Sequence, residues 1–275
     1  MDIRLICMDL DGTALQKDRS SFSPRLHAAL AEAHRRGIAV APVTGRQYGL
    51  LPQVLWEHPV WEQYAAVCNG AQIRRLGSGE VLYSLNIEPR ALEGLLAVAE
   101  KWDLPIEFSV DSMLYLTAHA YEQQLPHPGL AFHRDTILAK NGRIVDSLQP
   151  LCASNVEKVN LLCITPGIRE GVLEDLKEIP VSAVWASSSS MEITHPEGTK
   201  AQGIRRLCAL LGIKPQQVMA LGDSGNDESM LRAAGLGVAM GNAPEHIRRL
   251  ADAVTETNEN DGAAIAIERY ALKNK

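Results

Sequence analysis

Short apolar runs, each closed by glycine and polar residues, recur along the chain and constrain its fold more than any other feature. The clearest examples in the terminal parts of the chain are Ile3–Leu10, Ile38–Val43, Val218–Leu221 and Leu236–Ala239. A run of this length between turn signals is typical of a buried strand. Helical stretches separate these runs, and the alternation predicts a parallel sheet with helices on both faces.

Local signals define the first helix and a further strand. Ser23 suits an N-cap, Pro24 suits the first helical turn, and Gly37 lies where a C-terminal cap belongs. A second helical stretch then precedes a predicted strand over Tyr64–Cys68. That strand ends at Asn69-Gly70, which is a strong turn pair.

The pattern changes in the middle of the chain, where strands follow one another without helices between them. Ile106–Val110 and Met113–Thr117 are separated only by Asp111-Ser112, as in a hairpin. Val181–Ala186 and Met191–Thr194 are again close neighbours. Adjacent strands of this kind favour antiparallel pairing, so the middle stretch is predicted to be a separate α+β unit.

We therefore predict an α/β fold in which a Rossmann-like parallel-sheet core is interrupted by an inserted α+β cap domain. The core is assigned to residues 1–82 and 190–275, and the cap to residues 83–189. Sites in open α/β sheets lie outside the carboxyl ends of the strands. Asp9, Thr44 and Asp223 each follow a predicted core strand, so we expect three stretches of sequence to converge on one edge of the sheet.

Two carboxylates follow the first strand, in the segment Asp9-Leu10-Asp11-Gly12-Thr13. Residues two apart in an extended chain point the same way, so Asp9 and Asp11 are expected to face one site. Such a pair can bind a hard cation or divide the roles of nucleophile and acid/base. Gly12 permits a tight turn whose N–H groups can hold phosphate oxygens. An ordinary strand-to-turn boundary is the competing interpretation.

A second acidic motif, Gly222-Asp223-Ser224-Gly225-Asn226-Asp227, follows the strand Val218–Leu221. Asp223 would supply a third carboxylate near the same edge, and Asn226 and Asp227 could orient it or a phosphate. A polar loop that caps the next helix is the alternative. Because both motifs follow strands, in this order, together they favour a functional site.

Single residues near these motifs complete the candidate site. The Thr44 hydroxyl, just before Gly45, can donate to a phosphate oxygen, and Lys200 can act as a point charge on the same group. Each is weak alone, since Thr-Gly is a common turn and most lysines are solvated. Arg46 and His195 are candidate substrate contacts because they neighbour Thr44 and Lys200, with surface or core packing as the alternative.

Composition and charge argue against several classes of function. The net charge of the 275 residues is −6, whereas nucleic-acid binding needs a basic excess on at least one face. No run approaches the roughly 18–20 apolar residues of a membrane span, and charged residues interrupt any signal-peptide stretch. The five cysteines form no close-spaced metal pair, and most lie in apolar runs, where buried free thiols are expected; free thiols favour a reducing compartment. We expect a soluble, cytoplasmic protein without nucleic-acid or membrane partners, and the oligomeric state stays open.

The motifs, in this order, resemble those of the haloacid dehalogenase (HAD) superfamily of phosphohydrolases. They are Asp9-Leu10-Asp11-Gly12-Thr13, Thr44-Gly45, Lys200 and Gly222–Asp227. The insert lies between the second and third motifs, which is similar to the Cof-type (HAD-IIB-like) branch, as is the stretch Leu236–Ala243. Members of that branch often act on sugar phosphates and other small phosphorylated metabolites.

The resemblance implies a Mg²⁺-dependent phosphatase. Asp9 would attack phosphorus, while Asp11 would protonate the leaving alcohol and then activate water. Mg²⁺ would be held by Asp9, the carbonyl oxygen of Asp11, and Asp223. Asp227 would support the site from behind, and the phosphoryl group would be bound by Gly12, Thr44, Gly45, Lys200 and Asn226. The expected partner is a small phosphorylated substrate, most simply a sugar phosphate, with the cap acting as a lid.

Two other functions stay open. A phosphomutase on this fold should carry several basic residues on the cap that face the site, but the basic residues of the insert mostly fall on predicted helix surfaces or loops. A non-catalytic binding or sensor module is expected to lose one of the three carboxylates Asp9, Asp11 and Asp223. All three are present, so the sequence favours a phosphatase.

Overall fold

The computed structural model describes residues 2–57 and 64–273, which form two compact units. The first unit comprises Met1–Arg46, Leu51–Tyr83 and Thr199–Lys275, and the second comprises Gln47–Leu50 and Ser84–Gly198. Among the described residues, each helix falls short of the length or apolarity that crossing a membrane requires.

The described residues form strands and α-helices, each numbered in chain order. The strands are β1 (Leu5–Met8), β2 (Ala39–Pro42), β3 (Tyr64–Val67), β4 (Gln72–Arg75), β5 (Val81–Ser84), β6 (Ile106–Val110), β7 (Met113–Thr117), β8 (Gly142–Val145), β9 (Val156–Leu161), β10 (Ser182–Trp185), β11 (Met191–Thr194), β12 (Val218–Gly222), β13 (Leu236–Ala239) and β14 (Ala253–Val254). The helices are α1 (Pro24–Arg35), α2 (Pro89–Trp102), α3 (Ala118–Gln124), α4 (Ala139–Asn141), α5 (Arg169–Lys177), α6 (Lys200–Leu211), α7 (Glu228–Ala233), α8 (Glu245–Leu250) and α9 (Gly262–Ala266).

A parallel sheet of five strands, in the order β14-β13-β12-β1-β2, forms the centre of the first unit. The predicted parallel core is confirmed, and so is the α/β fold class. Strand β1 lies between β12 and β2, and all of its side chains are buried. Burial on both faces explains why its sequence is an unbroken apolar run rather than an alternating one.

Helix α1 begins and ends where its capping signals predict. The Ser23 hydroxyl accepts a hydrogen bond from the Leu26 N–H at 3.1 Å, and Pro24 occupies the first turn. Gly37 follows the helix with a φ of +74°, a conformation that glycine adopts without steric cost. The buried face of the helix includes Leu30.

The strand predicted over Tyr64–Cys68 was expected to join the parallel sheet, but in the structure it does not. Strand β3 pairs antiparallel with β4, and β3, β4 and β5 form a sheet of their own. A single parallel bridge, Val43 to Ala66, runs from the end of β2 to β3. The Asn69-Gly70 turn reverses the chain at once, so the next partner of β3 is its own continuation. The helical stretch predicted before β3 is seen only as short turns at Tyr48–Leu50 and Gln53–Leu55, and residues 58–63 lie outside the described residues.

The second unit contains a sheet of six strands in the order β10-β11-β9-β6-β7-β8. Neighbours pair antiparallel except β7 and β8, which are parallel. The predicted hairpin is confirmed, because β6 and β7 are joined by Asp111 and Ser112 with φ values of 48° and 65°. These left-handed values suit a two-residue hairpin turn. Alternate residues of β6, such as Phe108, pack into the apolar core that includes α2.

The second unit differs from the predicted cap range, residues 83–189, at its end and by including Gln47–Leu50, which was assigned to the core. It continues to Gly198, because β11 pairs with β9 in the same sheet. The stretch between β7 and β8, around Pro126 and Pro128, contains α3 and α4. Its polar composition hides the helical periodicity from sequence reasoning.

A fully buried carboxylate, Glu107 on β6, organises the polar face of this sheet. Gln124 Nε2 and Asn160 Nδ2 donate to its two oxygens at 3.0 and 2.9 Å. His133 Nε2 lies 2.9 Å from both oxygens. Burial alone would raise the pKa of Glu107, but the charge and hydrogen bond of His133, with the two amides, lower its pKa below the ordinary value.

We expect Glu107→Gln to lower the free energy of unfolding by about 3 kcal/mol at pH 7, because it leaves buried donors without their charged acceptor. The folded-state pKa of Glu107 is depressed, so its contribution is present above the unfolded pKa of about 4.3 and is lost as the pH falls further. Urea unfolding of both proteins between pH 7 and pH 3.5 measures this. Exposed Glu122→Gln is the control, and a small difference independent of pH would contradict the account.

Candidate active site

The carboxyl ends of β1, β2 and β12 lie side by side at one edge of the parallel sheet. In the register of the sheet, Met8 is level with both Pro42 and Leu221. Asp9, Thr44 and Asp223 follow these strand ends within two residues, so the predicted convergence of three stretches of sequence is confirmed. The Asp9 N–H donates to the Leu221 carbonyl oxygen at 3.0 Å, which fixes the start of the loop that follows β1.

A buried lysine connects two of these stretches. Lys200 is the first residue of α6, and its Nζ donates to Asp9 Oδ1 at 2.7 Å and to Asp227 Oδ1 at 2.6 Å. All three side chains are almost fully buried. The Thr199 hydroxyl caps the helix by accepting from the Gln202 N–H at 3.3 Å, which holds the first turn in place.

Burial and neighbouring charges shift the pKa values of these groups. Burial raises the pKa of Asp9 well above its ordinary value, although Lys200 opposes this. Burial and the nearby Asp227 carboxylate raise the pKa of Asp223 to about 7, against the hydrogen bond from Thr13. Burial alone would lower the pKa of Lys200, but the two carboxylates outweigh it, so the ammonium form is favoured. Three carboxyl groups therefore share a single ammonium in a poorly solvated cluster, and the raised pKa values of Asp9 and Asp223 reflect this.

Asp227 is a support for the loop after β12. Its Oδ1 accepts from Lys200, while its Oδ2 accepts from the N–H groups of Asp223 and Ser224 at 2.8 and 2.9 Å. Both oxygens therefore have strong donors. This geometry agrees with the supporting role that the sequence suggests for Asp227.

The turn after Asp9 packs tightly against Asp223. Gly12 has a φ of +76°, and a Cβ there would lie 2.4 Å from Asp223 Oδ2. The Thr13 hydroxyl donates to Asp223 Oδ1 at 3.0 Å. The Asn242 side chain donates to the Gly12 carbonyl oxygen at 2.9 Å. Glycine is therefore required at position 12 both by backbone conformation and by space.

The donor set fits a hard divalent cation. Asp9, Asp223 and Asp227 each offer a carboxylate oxygen, and these oxygens lie within 4.8 Å of one another. Mg²⁺ prefers such oxygen ligands, and it would offset the excess of three carboxylates over the single ammonium of Lys200. Because both oxygens of Asp227 already accept strong hydrogen bonds, Asp9 and Asp223 are the better candidates for ligands.

The carboxylate of Asp11 lies outside this cluster. It accepts two hydrogen bonds from Arg46, from Nε to Oδ2 and from Nη2 to Oδ1, both at 2.7 Å. The extended-chain argument for Asp9 and Asp11 does not hold here, because β1 ends at Met8 and a turn begins at Leu10. Arg46, a candidate substrate contact, is paired with Asp11 in the structure, and its role toward substrate stays a prediction.

The remaining predicted residues are distributed as follows. Thr44 is buried, and its Oγ1 accepts from the Arg46 N–H at 3.1 Å, with Gly45 between them. Asn226 Nδ2 donates to Asn69 Oδ1 at 3.3 Å. His195 belongs to the second unit, where its Nδ1 accepts from the Glu197 N–H at 3.1 Å, so its substrate role stays a prediction.

Sequence reasoning missed three residues that touch the site. Thr13 and Asn242 contact Asp223 or its loop, and Asn69 contacts Asn226. Thr13 and Asn242 lie inside stretches that were noted for other reasons. Asn69 was interpreted only as a turn residue, and no local signal distinguishes a turn asparagine from one that reaches across the fold.

Comparison with known proteins identifies the family. The model of the haloacid dehalogenase-like hydrolases matches residues 6–267. The chain belongs to this family. YxeH of Bacillus subtilis (strain 168) is 30% identical to this HAD hydrolase over 277 residues, which is 98% of each chain.

Other relatives agree. The 5-amino-6-(5-phospho-D-ribitylamino)uracil phosphatase YcsE of Bacillus subtilis (strain 168) is 28% identical over 273 residues, 99% of this chain and 97% of that protein. A solved haloacid dehalogenase-like hydrolase from B. subtilis is similar with a TM-score of 0.84 at 26% identity, covering 98% of this chain and 100% of that one. The resemblance drawn from the motifs is confirmed, as is the assignment to the phosphatases of the HAD family.

We expect Lys200→Met to lower the free energy of unfolding by about 3–5 kcal/mol, because it leaves Asp9 and Asp227 buried without their counter-charge. Urea unfolding at pH 7 without divalent cations measures this. The control is Lys17→Met at an exposed position of the same unit, expected to change stability by less than about 0.5 kcal/mol. Equal stability of Lys200→Met and the wild type would show that the ion pairs do not hold the site together.

Proposed function

We propose that this HAD hydrolase is a Mg²⁺-dependent phosphatase that hydrolyses a small phosphorylated metabolite through an aspartyl-phosphate on Asp9. The observation that carries the proposal is the buried Asp9 carboxylate at the end of β1, held by Lys200 beside Asp223. Such a carboxylate is fixed in one orientation, which is what a nucleophile needs.

Asp9 is the best nucleophile among the clustered carboxylates. Asp227 uses both oxygens in strong hydrogen bonds, and Asp223 accepts from Thr13. Lys200 engages only Oδ1 of Asp9, and within the described residues Oδ2 has no hydrogen-bond donor. We infer that Oδ2 forms the new bond to phosphorus, while the bond from phosphorus to the leaving oxygen breaks.

The charge of the cluster explains the need for a cation. A carboxylate and a phosphate dianion repel each other, and Lys200 alone cannot neutralise both. Mg²⁺ held by Asp9, Asp223 and the Asp11 carbonyl oxygen would supply the remaining positive charge. Thr44, with Gly12, Gly45 and Asn226, is proposed to hold the phosphoryl oxygens through hydroxyl, backbone or amide donors.

Asp11 is proposed as the acid and base. In the first step its proton goes to the leaving oxygen, which departs as an alcohol. In the second step Asp11 takes a proton from water as the water oxygen attacks phosphorus and the bond to Asp9 breaks. Arg46 holds the Asp11 carboxylate in one position through two hydrogen bonds. In the first step Arg46 must release Asp11, and a negatively charged substrate is the natural alternative partner for its guanidinium.

The substrate class is proposed to be a sugar phosphate or a similar polyol phosphate. The YcsE relative is named for a substrate whose phosphate sits on a ribityl chain, that is, on a polyol. The second unit is proposed to act as the lid that selects the leaving group.

We expect Asp9→Asn to reduce phosphate release from an aryl phosphate by at least about a thousandfold, because an amide oxygen is a poor nucleophile. Phosphate release is measured with Mg²⁺ and again after EDTA, and EDTA should abolish the wild-type reaction. Circular dichroism checks that the variant is folded.

Asp2→Asn, at an exposed carboxylate of the same unit, is the matched control and should retain wild-type activity. If Asp9→Asn keeps more than a few per cent of turnover, Asp9 is not the nucleophile. Isomer exchange of a hexose monophosphate without phosphate release would instead identify a phosphomutase.

A further inference from the structure

A strained and buried turn lies next to the site, outside the catalytic motifs. Cys68, Asn69 and Gly70 are consecutive residues with φ values of 50°, 55° and 88°. Glycine adopts this region freely, but other residues there cost on the order of 1–3 kcal/mol each. Cys68 and Asn69 are almost fully buried, so surrounding contacts must hold them in this conformation.

The backbone of this turn fixes the loop that carries Thr44. The Asn69 N–H donates to the Thr44 carbonyl oxygen at 2.9 Å, and the Cys68 N–H donates to the Arg46 carbonyl oxygen at 2.9 Å. In return, the Thr44 N–H donates to the Ala66 carbonyl oxygen at 2.9 Å. The segment from Thr44 to Arg46 is therefore held on both sides of Gly45.

The same turn contacts the start of α6, where Lys200 lies. A Cβ on Gly70 would lie 2.4 Å from the Thr199 carbonyl oxygen and 3.0 Å from the Gly203 nitrogen. Only glycine allows this close approach of the two backbones. Arg206 Nη1 also donates to the Gly70 carbonyl oxygen at 3.3 Å, so the helix is tied to the turn from a second position.

The side chain of Asn69 reaches the third element of the site. Its Oδ1 accepts from Asn226 Nδ2 at 3.3 Å, while Asn226 Oδ1 accepts from the Ser224 hydroxyl at 2.7 Å. These two contacts together set the orientation of the Asn226 amide. A glycine at position 69 would satisfy the backbone conformation equally well, so the conformation alone gives no reason for a buried asparagine.

We propose that Asn69 is a positioning residue for phosphate binding: its side chain orients the Asn226 amide, and its backbone holds Thr44. The proposal rests on the phosphatase function, since it assigns Asn69 to the grip on the phosphoryl group. It explains why a residue outside the four motifs is held, at an energetic cost, between the loops of Thr44 and Asn226.

The test compares Asn69→Gly with Asn69→Ala. Both remove the side-chain acceptor, but only alanine has a Cβ that is strained in the left-handed region, so alanine should lower the melting temperature more than glycine does. If the side chain orients Asn226, both variants should lose about tenfold in kcat/KM for an aryl phosphate. If Asn69 serves only the backbone conformation, Asn69→Gly keeps wild-type kcat/KM, and that result would overturn the proposal.

A double-mutant comparison isolates the effect that Asn69 exerts through Asn226. In Asn226→Ala protein, Asn69→Gly should change kcat/KM by less than about twofold, because the amide it orients is gone. Full additivity of the two substitutions would show that Asn69 acts elsewhere.

A binding measurement separates this proposal from the phosphatase assignment. Calorimetry with inorganic phosphate and Mg²⁺ needs no turnover, and Asn69→Gly should weaken the Kd by about tenfold. An unchanged Kd would contradict the positioning role. A wild-type protein that binds phosphate without hydrolysing the ester would contradict only the phosphatase function, since the two Kd values still decide the role of Asn69.

Discussion

The buried ion pairs of Lys200 are the interaction on which the site depends. One ammonium group holds the nucleophile candidate Asp9 and the support residue Asp227 at hydrogen-bond distance, away from solvent. A charge buried there without a counter-charge would cost several kcal/mol. The pairs also join the beginning of α6 to the ends of β1 and β12. The same contacts therefore define the architecture of the sheet edge and the charge balance that the proposed chemistry uses.

Sequence reasoning predicted the elements whose signals are local. The strand Met191–Thr194, the hairpin turn at Asp111-Ser112 and helix α1 with its Ser23 cap are all seen where the pattern indicates. Periodicity and capping residues are sufficient for such elements. Strand pairing could not be predicted from local signals, because it depends on partners that are distant in the sequence. The separate sheet that starts at β3 and the addition of β11 to the sheet of the second unit both result from long-range hydrogen bonds.

The candidate site likewise has parts that local signals predict and parts that depend on long-range contacts. The general rule that sites lie beyond strand ends was sufficient to bring Asp9, Thr44 and Asp223 to one edge. The partners of those residues were not predictable, because the pairing of Asp11 with Arg46 and the contact of Asn69 with Asn226 depend on side chains that meet only after folding. Of those contacts, one holds the proposed acid/base in position, and the other is proposed to orient an amide at the phosphate site.

The central claim, covalent catalysis by Asp9, is tested most directly by the intact mass of Asp11→Asn protein after mixing with an aryl phosphate and Mg²⁺. Without a base to activate water, the second step should be slow, so the account predicts an added phosphoryl group that peptide mapping locates on Asp9. The double variant Asp9→Asn, Asp11→Asn should gain no such mass. A phosphoryl group on another residue, or phosphate release at the wild-type rate by Asp11→Asn without any adduct, would contradict the account.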